Sequence, residues 1–361
     1  MWTELLQKNI TSIADLSDKL KLSPLSLEEL EQVTRRFPMS ITPYYLSLID
    51  WEDEQDPIRN MCIPSLQEQN MTGAFDTSGE ATNTKLTGIQ HKYRQTALIL
   101  STSQCAMYCR HCFRKRVVGI SDEEINANFD QVADYVRSHK EISNVLISGG
   151  DSFLMTDEWI EQYLATYSAM EHLDLIRFGT RTPVTFPERI LSDDHLLEIL
   201  EKYQQRKQIF VVTHFNHPRE ITRQSAAAVE RLRKCGIVVR NQTVLLRGVN
   251  DDGEVLGQLC KNLTSIGVAP YYIFQCRPVS GVGVHFQVPL EKGYQIVEKA
   301  KSMQSGMGKC MRYIISHVTG KIEPLYLEED NTMCFKYHQA KAEKDIGRVF
   351  KRKLEPGQTW L

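Results

Sequence analysis

The chain predicts an α/β fold in which a parallel sheet curls into a barrel or partial barrel, with a helical extension before it and a short segment after it. Six short β-branched runs alternate with amphipathic stretches from Thr96 onward, glycine-rich or polar turns follow the runs, and a cysteine-rich loop directly follows the first of them. Strands joined by amphipathic helices pair in parallel, and right-handed crossovers curl such a sheet so that its functional loops gather at the strands' C-terminal ends.

Taken in order, residues 1–90 are polar and helical in pattern and end in a turn-rich patch, Met71-Thr72-Gly73-Ala74-Phe75-Asp76-Thr77-Ser78-Gly79. The barrel is assigned to residues 91–305 and a C-terminal segment to 306–361. Its strands are expected at Ala97-Leu98-Ile99-Leu100, Val145-Leu146-Ile147, Leu175 to Phe178, Ile209 to Val212, Val238 to Val244 and Tyr271 to Phe274. Between the first two, Ile125, Phe129, Val132 and Val136 share one helical face, opened by a capping box of Ser121 with Glu124. The charged stretch from His338 to Leu361 reads as a helix against a partner subunit or as a solvated tail.

Composition narrows the function. With 361 residues, 42% hydrophobic and 9% aromatic, the chain can bury a large core. A formal net charge of −2 gives no reason to expect a nucleic-acid or anionic-membrane surface. There is no run of about 18 apolar residues and no basic-then-apolar start, so a cytoplasmic enzyme is expected. Nine cysteines, six of them scattered outside the loop, suit reduced thiols rather than a disulfide frame.

The loop Cys105-Ala106-Met107-Tyr108-Cys109-Arg110-His111-Cys112 carries the most chemistry. Three thiolates at this spacing can hold three irons of a [4Fe–4S] cube and leave the fourth iron open to a small chelating ligand. A zinc loop completed by His111 is the competing reading, although zinc favours four ligands in two pairs. Ser148-Gly149-Gly150-Asp151 follows the second strand, where paired glycines admit a close ligand and the acid can accept from a hydroxyl or ammonium; alone it is also an ordinary turn. Thr213-His214-Phe215-Asn216-His217-Pro218 ends the fourth strand, and a lone histidine there is often structural.

The CxxxCxxC spacing resembles that of the radical S-adenosylmethionine (SAM) enzymes, and the chain to about residue 325 resembles the lysine 2,3-aminomutase family among them. Phe37 to Asp50, Cys105 to Arg116, Leu146 to Asp151, Arg181-Thr182-Pro183, Thr213 to Pro218 and Leu245 to Asp251 carry the likeness. It implies a (βα)6 partial barrel and migration of an amino group between C2 and C3 of an amino acid. Cys105, Cys109 and Cys112 would then ligate a [4Fe–4S] cluster, and Gly149, Gly150, Asp151, His214 and Gln242 match positions that cradle SAM. Arg114 matches the arginine that holds the substrate carboxylate, a task suited to a planar bidentate donor. Lys309 matches the lysine forming a Schiff base with pyridoxal 5′-phosphate (PLP), and Lys92 and Tyr93 match phosphate-binding positions. An electron donor such as flavodoxin or ferredoxin, and a homo-oligomer, go with the same resemblance.

The chain departs from that pattern at several points. The glycine-rich run before Lys309 is short and lacks its proline, and Thr96 stands where a second arginine is expected. Arg277 and, less securely aligned, Ser302 replace the two aspartates that bind a distal ammonium. Like charges 4 Å apart repel by roughly 4 kcal/mol at an effective dielectric near 20, so an inward Arg277 favours an acidic or neutral substrate such as glutamate over lysine. Asp252 and the single tail residue Cys334 leave no structural zinc site. Two other readings are a radical SAM enzyme that abstracts hydrogen without PLP, such as a dehydrogenase or epimerase, and an iron–sulfur interaction protein.

Overall fold

The computed structural model describes residues 2–361. Twelve strands form one sheet in simple chain order. β1 (Thr84–Leu86), β2 (Ile89–Tyr93) and β3 (Thr96–Thr102) pair antiparallel. From β3 the sheet turns parallel through β4 (Asn144–Gly149), β5 (Leu175–Gly179), β6 (Gln208–Thr213), β7 (Val238–Leu245), β8 (Ala269–Gln275) and β9 (Arg312–His317). The ladder then continues antiparallel through β10 (Gly320–Leu327), β11 (Thr332–Ala340) and β12 (Val349–Lys353). Because β1 and β12 are its two free ends, the barrel is open, a partial barrel whose core is β3 to β8.

Each of the six expected runs lies inside one of β3 to β8. Their alternation explains which face does what. On β4, Val145 and Ile147 are fully buried toward the helices, while Asn144, Leu146 and Ser148 point into the barrel. The helical layer consists of α1 (Phe129–Ser138), α2 (Asp157–Ser168), α3 (Asp194–Gln204), α4 (Arg223–Lys234), α5 (Gly253–Ser265) and α6 (Leu290–Ser302). Most begin at a side-chain cap: Asn128, Thr156, Asp193, Thr222 and Asp252 each accept from a first-turn backbone N–H. α1 therefore starts at Asn128 and not at Ser121. Ser121 makes only a local turn with the Glu123 N–H, and Glu124 is drawn away to Arg116. Asp252 serves as the α5 cap through the Glu254 and Val255 N–H groups.

The C-terminal segment is neither helix nor solvated tail. β9 to β12 extend the barrel's own sheet, and β12 alternates Phe350, stacked on Phe335 at 5.3 Å, with outward Lys351 and Lys353. Leu290, Ile315, Ile322, Met333, Phe335 and Leu354 make a second core there, against which Trp360 and Leu361 pack. The chain end returns to the barrel, where the Gln275 side chain donates to the Thr359 carbonyl at 2.8 Å.

The N-terminal extension braces the cysteine loop. The Asn9 amide donates to the Ala106 carbonyl, the Tyr108 N–H to the Ser40 carbonyl and the Arg110 N–H to the Met61 carbonyl. Beneath them, fully buried Glu68 takes a bidentate pair from Arg110, at 2.9 and 2.5 Å, and a third contact from Lys115 at 2.5 Å. Among the described residues no helix is long and apolar enough to cross a membrane.

Candidate active site

A cavity of about 560 Å³ runs through the barrel, lined from strand-starting residues such as Thr96 and Asn144 to the loops at the strands' C-terminal ends. Cys105, Cys109 and Cys112 share its wall with Arg114, Gly149, Gly150, Asp151, His214, Gln242, Lys92, Tyr93 and Arg277. Of the sequence-derived candidates, Lys309 and Ser302 lie outside it. Lys309 is exposed on the turn Gly308–Cys310 ahead of β9, at the N-terminal end of the sheet and away from the mouth.

The three cysteines sit close together on the loop. Burial pushes Cys105 far up and Cys112 to about 11, with the neighbouring cysteines adding to both. Among the described residues no three His, Cys, Asp or Glu side chains converge on a single-ion point. A cubane presents its irons at separate corners, so its ligands need no such convergence. His111, the residue weighed as a zinc ligand, is buried, with the Asn216 amide 3.4 Å from its Nε2 and its ring against Phe286.

The paired glycines have a steric reason. A Cβ on Gly149, where φ is +116°, would sit 2.4 Å from the Thr102 carbonyl oxygen, and one on Gly150 would sit 2.2 Å from that of Gln104. The cysteine loop crosses directly over them, and the Gly150 and Asp151 N–H groups donate to those same carbonyls. Asp151 is already engaged, accepting from the Thr180 hydroxyl at 2.5 Å and the Arg181 N–H at 2.7 Å, so it clamps the β4 and β5 loops together. Burial, with Arg181 nearby, lowers His214 to about 4, so its ring is neutral at physiological pH.

Arg181 ties this rim to the cysteines. Its guanidinium donates to the Cys109 sulfur at 2.7 Å, the His214 carbonyl at 2.9 Å and Glu220 at 2.5 Å. Arg114 and Arg277 both lie against the Phe113 ring, at 4.6 and 4.3 Å from its centroid. Glu80 pairs with Arg114 at 3.2 Å and Arg116 at 2.6 Å. Arg277 turns inward and donates to the Ser316 hydroxyl at 3.0 Å. Ser302 ends α6, is exposed, and bonds only its own helix's Lys299 carbonyl, so Ser316 is the serine that accompanies Arg277.

One lysine that the sequence reading passed over lines the cavity. Lys321 follows the β9–β10 turn, and its Nζ lies 4.6 Å from the Tyr93 ring centroid and 5.6 Å from that of Tyr272. Burial, then Arg177, Lys92 and Arg277, lower it to about 7, leaving a neutral amine available near neutrality. The chain carries only a weak local signal for it. Gly320 precedes Lys321 at φ +157°, where a Cβ would meet the Gln339 carbonyl at 2.2 Å, and the Val318-Thr319-Gly320-Lys321 run is a shortened glycine–lysine turn. Lys92 donates to the carbonyls of Ser78 and His317, at 3.2 and 2.7 Å, and is held down to about 8 by burial and by Arg277.

Residues 99–259, from the first barrel strand into α5, match the Radical SAM superfamily. A partial barrel with three cysteines at its mouth is the architecture of a radical SAM enzyme, a class that carries a [4Fe–4S] cluster and SAM. A putative L-lysine 2,3-aminomutase from Aquifex aeolicus is 38% identical over 98% of this chain and 95% of its own length. The L-lysine 2,3-aminomutase of Clostridium subterminale is 39% identical over 84% of this chain and 73% of that one. A glutamate 2,3-aminomutase from Clostridioides difficile is 37% identical over 91% and 77%. The chain belongs to the lysine 2,3-aminomutase family and is a radical SAM aminomutase.

Proposed function

We propose that the enzyme interconverts an α-amino acid and its β-isomer by moving the amino group between C2 and C3, with an acidic or neutral substrate, glutamate foremost. The observation that carries this reading is the inward guanidinium of Arg277 bonded to Ser316. Relatives of nearly equal identity are named for lysine and for glutamate, so overall likeness does not choose between them. What supports glutamate is the positive charge that Arg277 brings to the cavity wall. A cation there repels an ammonium and accepts a carboxylate.

In this reading Cys105, Cys109 and Cys112 hold the cluster, and Gly149, Gly150, Asp151, His214 and Gln242 form the wall that receives SAM. A neutral His214 accepts or donates one hydrogen bond without adding charge beside a sulfonium ligand. Arg114 takes the substrate carboxylate, with Glu80 fixing its guanidinium. Lys321 takes the role that the family resemblance assigned to Lys309, supported by its burial, its depressed pKa and the aromatic faces of Tyr93 and Tyr272 beside it. Lys92 keeps a cationic donor near the same pocket. Held by these residues, PLP would supply the carbonyl that takes up the migrating amino group, and SAM beside Cys105, Cys109 and Cys112 would supply the hydrogen-abstracting radical. A flavodoxin- or ferredoxin-type donor supplies the electron.

The test is an anaerobic incubation of the reconstituted, reduced enzyme with each common amino acid, read for β-isomers by mass spectrometry after derivatisation. Glutamate or a neutral amino acid is expected to be converted. Conversion of lysine alone would overturn the reading of Arg277.

A further inference from the structure

Two arginines of the cavity wall have no role so far. Side chains on alternate strand positions face the cavity, so Arg240 lies one layer below Gln242 on β7 and Arg177 one layer below Gly179 on β5. Arg177 donates to the Asn144 side chain at 2.5 Å, while Arg240 lies against the rings of Phe210 and Tyr271, at 5.3 and 5.1 Å. The Nε of each is buried without a hydrogen-bond partner.

Elsewhere in this chain buried cations have carboxylates: Glu68 serves Arg110 and Lys115, and Glu80 serves Arg114 and Arg116. Here the charged and ionisable neighbours of Arg177 are Tyr271, Tyr272 and Arg240, and those of Lys321 are Arg177, Lys92 and Arg277. No acid stands among those neighbours of Arg177 and Lys321, whereas Lys92 and Arg277 themselves feel Glu80 and Asp76; a buried cation without such a partner is costly unless a ligand brings the negative charge. Guanidinium groups with free N–H donors suit a doubly charged oxyanion. The connection to Thr96 is direct. Its hydroxyl donates to the same Asn144 oxygen, at 3.3 Å, that Arg177 binds.

We propose that Arg177 and Arg240 form the phosphate site for PLP, taking over from the arginine that Thr96 replaces; the inference rests on Lys321 as the anchoring lysine. The Tyr271–Tyr272 stack, with ring centroids 3.8 Å apart, spans from Arg240 to Lys321 and aligns the two ends of one flat ligand.

The experiment is a titration of the full-length, cluster-reconstituted protein with PLP and with pyridoxal, which lacks the phosphate, following the absorbance band of the lysine adduct. Borohydride reduction and peptide mapping locate the adduct in each case. The parent protein should bind PLP about a hundredfold more tightly than pyridoxal, and Arg240→Gln and Arg177→Gln should each shrink that ratio about tenfold or more. Inorganic phosphate should compete with PLP in the parent and lose that effect in the variants. Retained pyridoxal adduct at Lys321 in the variants shows that they are folded. An unchanged ratio in both variants, with collapse in Lys92→Gln instead, would overturn the proposal and leave the lysine assignment standing. If the parent forms no adduct at Lys321 with either compound, the lysine assignment itself is overturned, and this proposal with it.

Discussion

Arg277 and Ser316 are joined by a 3.0 Å hydrogen bond across the junction of β8 and β9, and this pair sets the charge at one end of the cavity. Replacing Arg277 by Gln keeps a donor but removes the charge. Loss of a charge-assisted hydrogen bond is worth about 1.5–3 kcal/mol, so KM for glutamate should rise roughly ten- to hundredfold with a smaller change in kcat. Initial-rate kinetics on the β-isomer check this. An unaltered KM would show that Arg277 does not touch the substrate.

Lys321 and Lys309 make opposite predictions. Lys321→Ala should abolish borohydride-trapped PLP on the protein, and Lys309→Ala should leave the adduct in full, as mass spectrometry of the intact chain would report. The pH dependence of loading follows from the lowered amine. The charged form of Lys321 is disfavoured by burial, then by Arg177, Lys92 and Arg277, so its neutral, nucleophilic form takes over as pH rises through about 7. The rate of adduct formation should climb across that interval and level off above it. A rate still climbing at pH ~9, as an ordinary lysine of pKa ~10.4 would give, would contradict the assignment.

These two lysines also mark where the sequence stops being legible. The six barrel strands could be read because each is a short β-branched run bounded by turns, and the cysteine loop could be read because its spacing is local. The lysine proposed as the anchor could not be placed. Lys309 precedes β9 and Lys321 follows it, and only the parallel pairing of β9 with β8 puts the second at the strands' C-terminal ends and the first at the opposite end. β12 was hidden for a related reason: Lys351, Arg352 and Lys353 look like a solvated tail until β11 supplies a paired edge. Arg177 and Arg240 carry no motif, since their place in the cavity depends on strand register alone.

Glu68 lies under the cysteine loop with two cationic partners, and burial alone would raise its carboxyl. Arg110 and Lys115 outweigh that and hold it below the usual glutamate value. A lowered carboxylate contributes stability above its unfolded pKa of ~4.3, and the contribution is lost as pH falls through the lower folded value. Glu68→Gln preserves shape but leaves two buried cations unpaired, at a cost of about 3–5 kcal/mol. A clear drop in Tm and poor iron retention after reconstitution are expected. A variant as stable as the parent would mean that the loop is held by its backbone contacts to the N-terminal extension instead.

Arg181 connects the chemistry of the cysteine loop to the rest of the barrel rim. Its Nη1 lies 2.7 Å from the Cys109 sulfur, while Glu220 and the His214 carbonyl fix the remainder of the guanidinium. With Cys109 as a cluster ligand, this donor is a fixed positive group beside one sulfur. Hydrogen bonds to cluster sulfurs stabilise the more negative, reduced state and so raise the reduction potential. Arg181→Lys keeps the charge near Glu220 but is too short and too flexible to hold the same fork. The potential should fall by on the order of 60 mV, the one-electron equivalent of ~1.4 kcal/mol. A redox titration followed by electron paramagnetic resonance measures it directly, with iron and sulfide content showing that the cluster is intact. A merely structural arginine would lower cluster occupancy without moving the potential of the clusters that remain, and that outcome would remove Arg181 from the electron-transfer step.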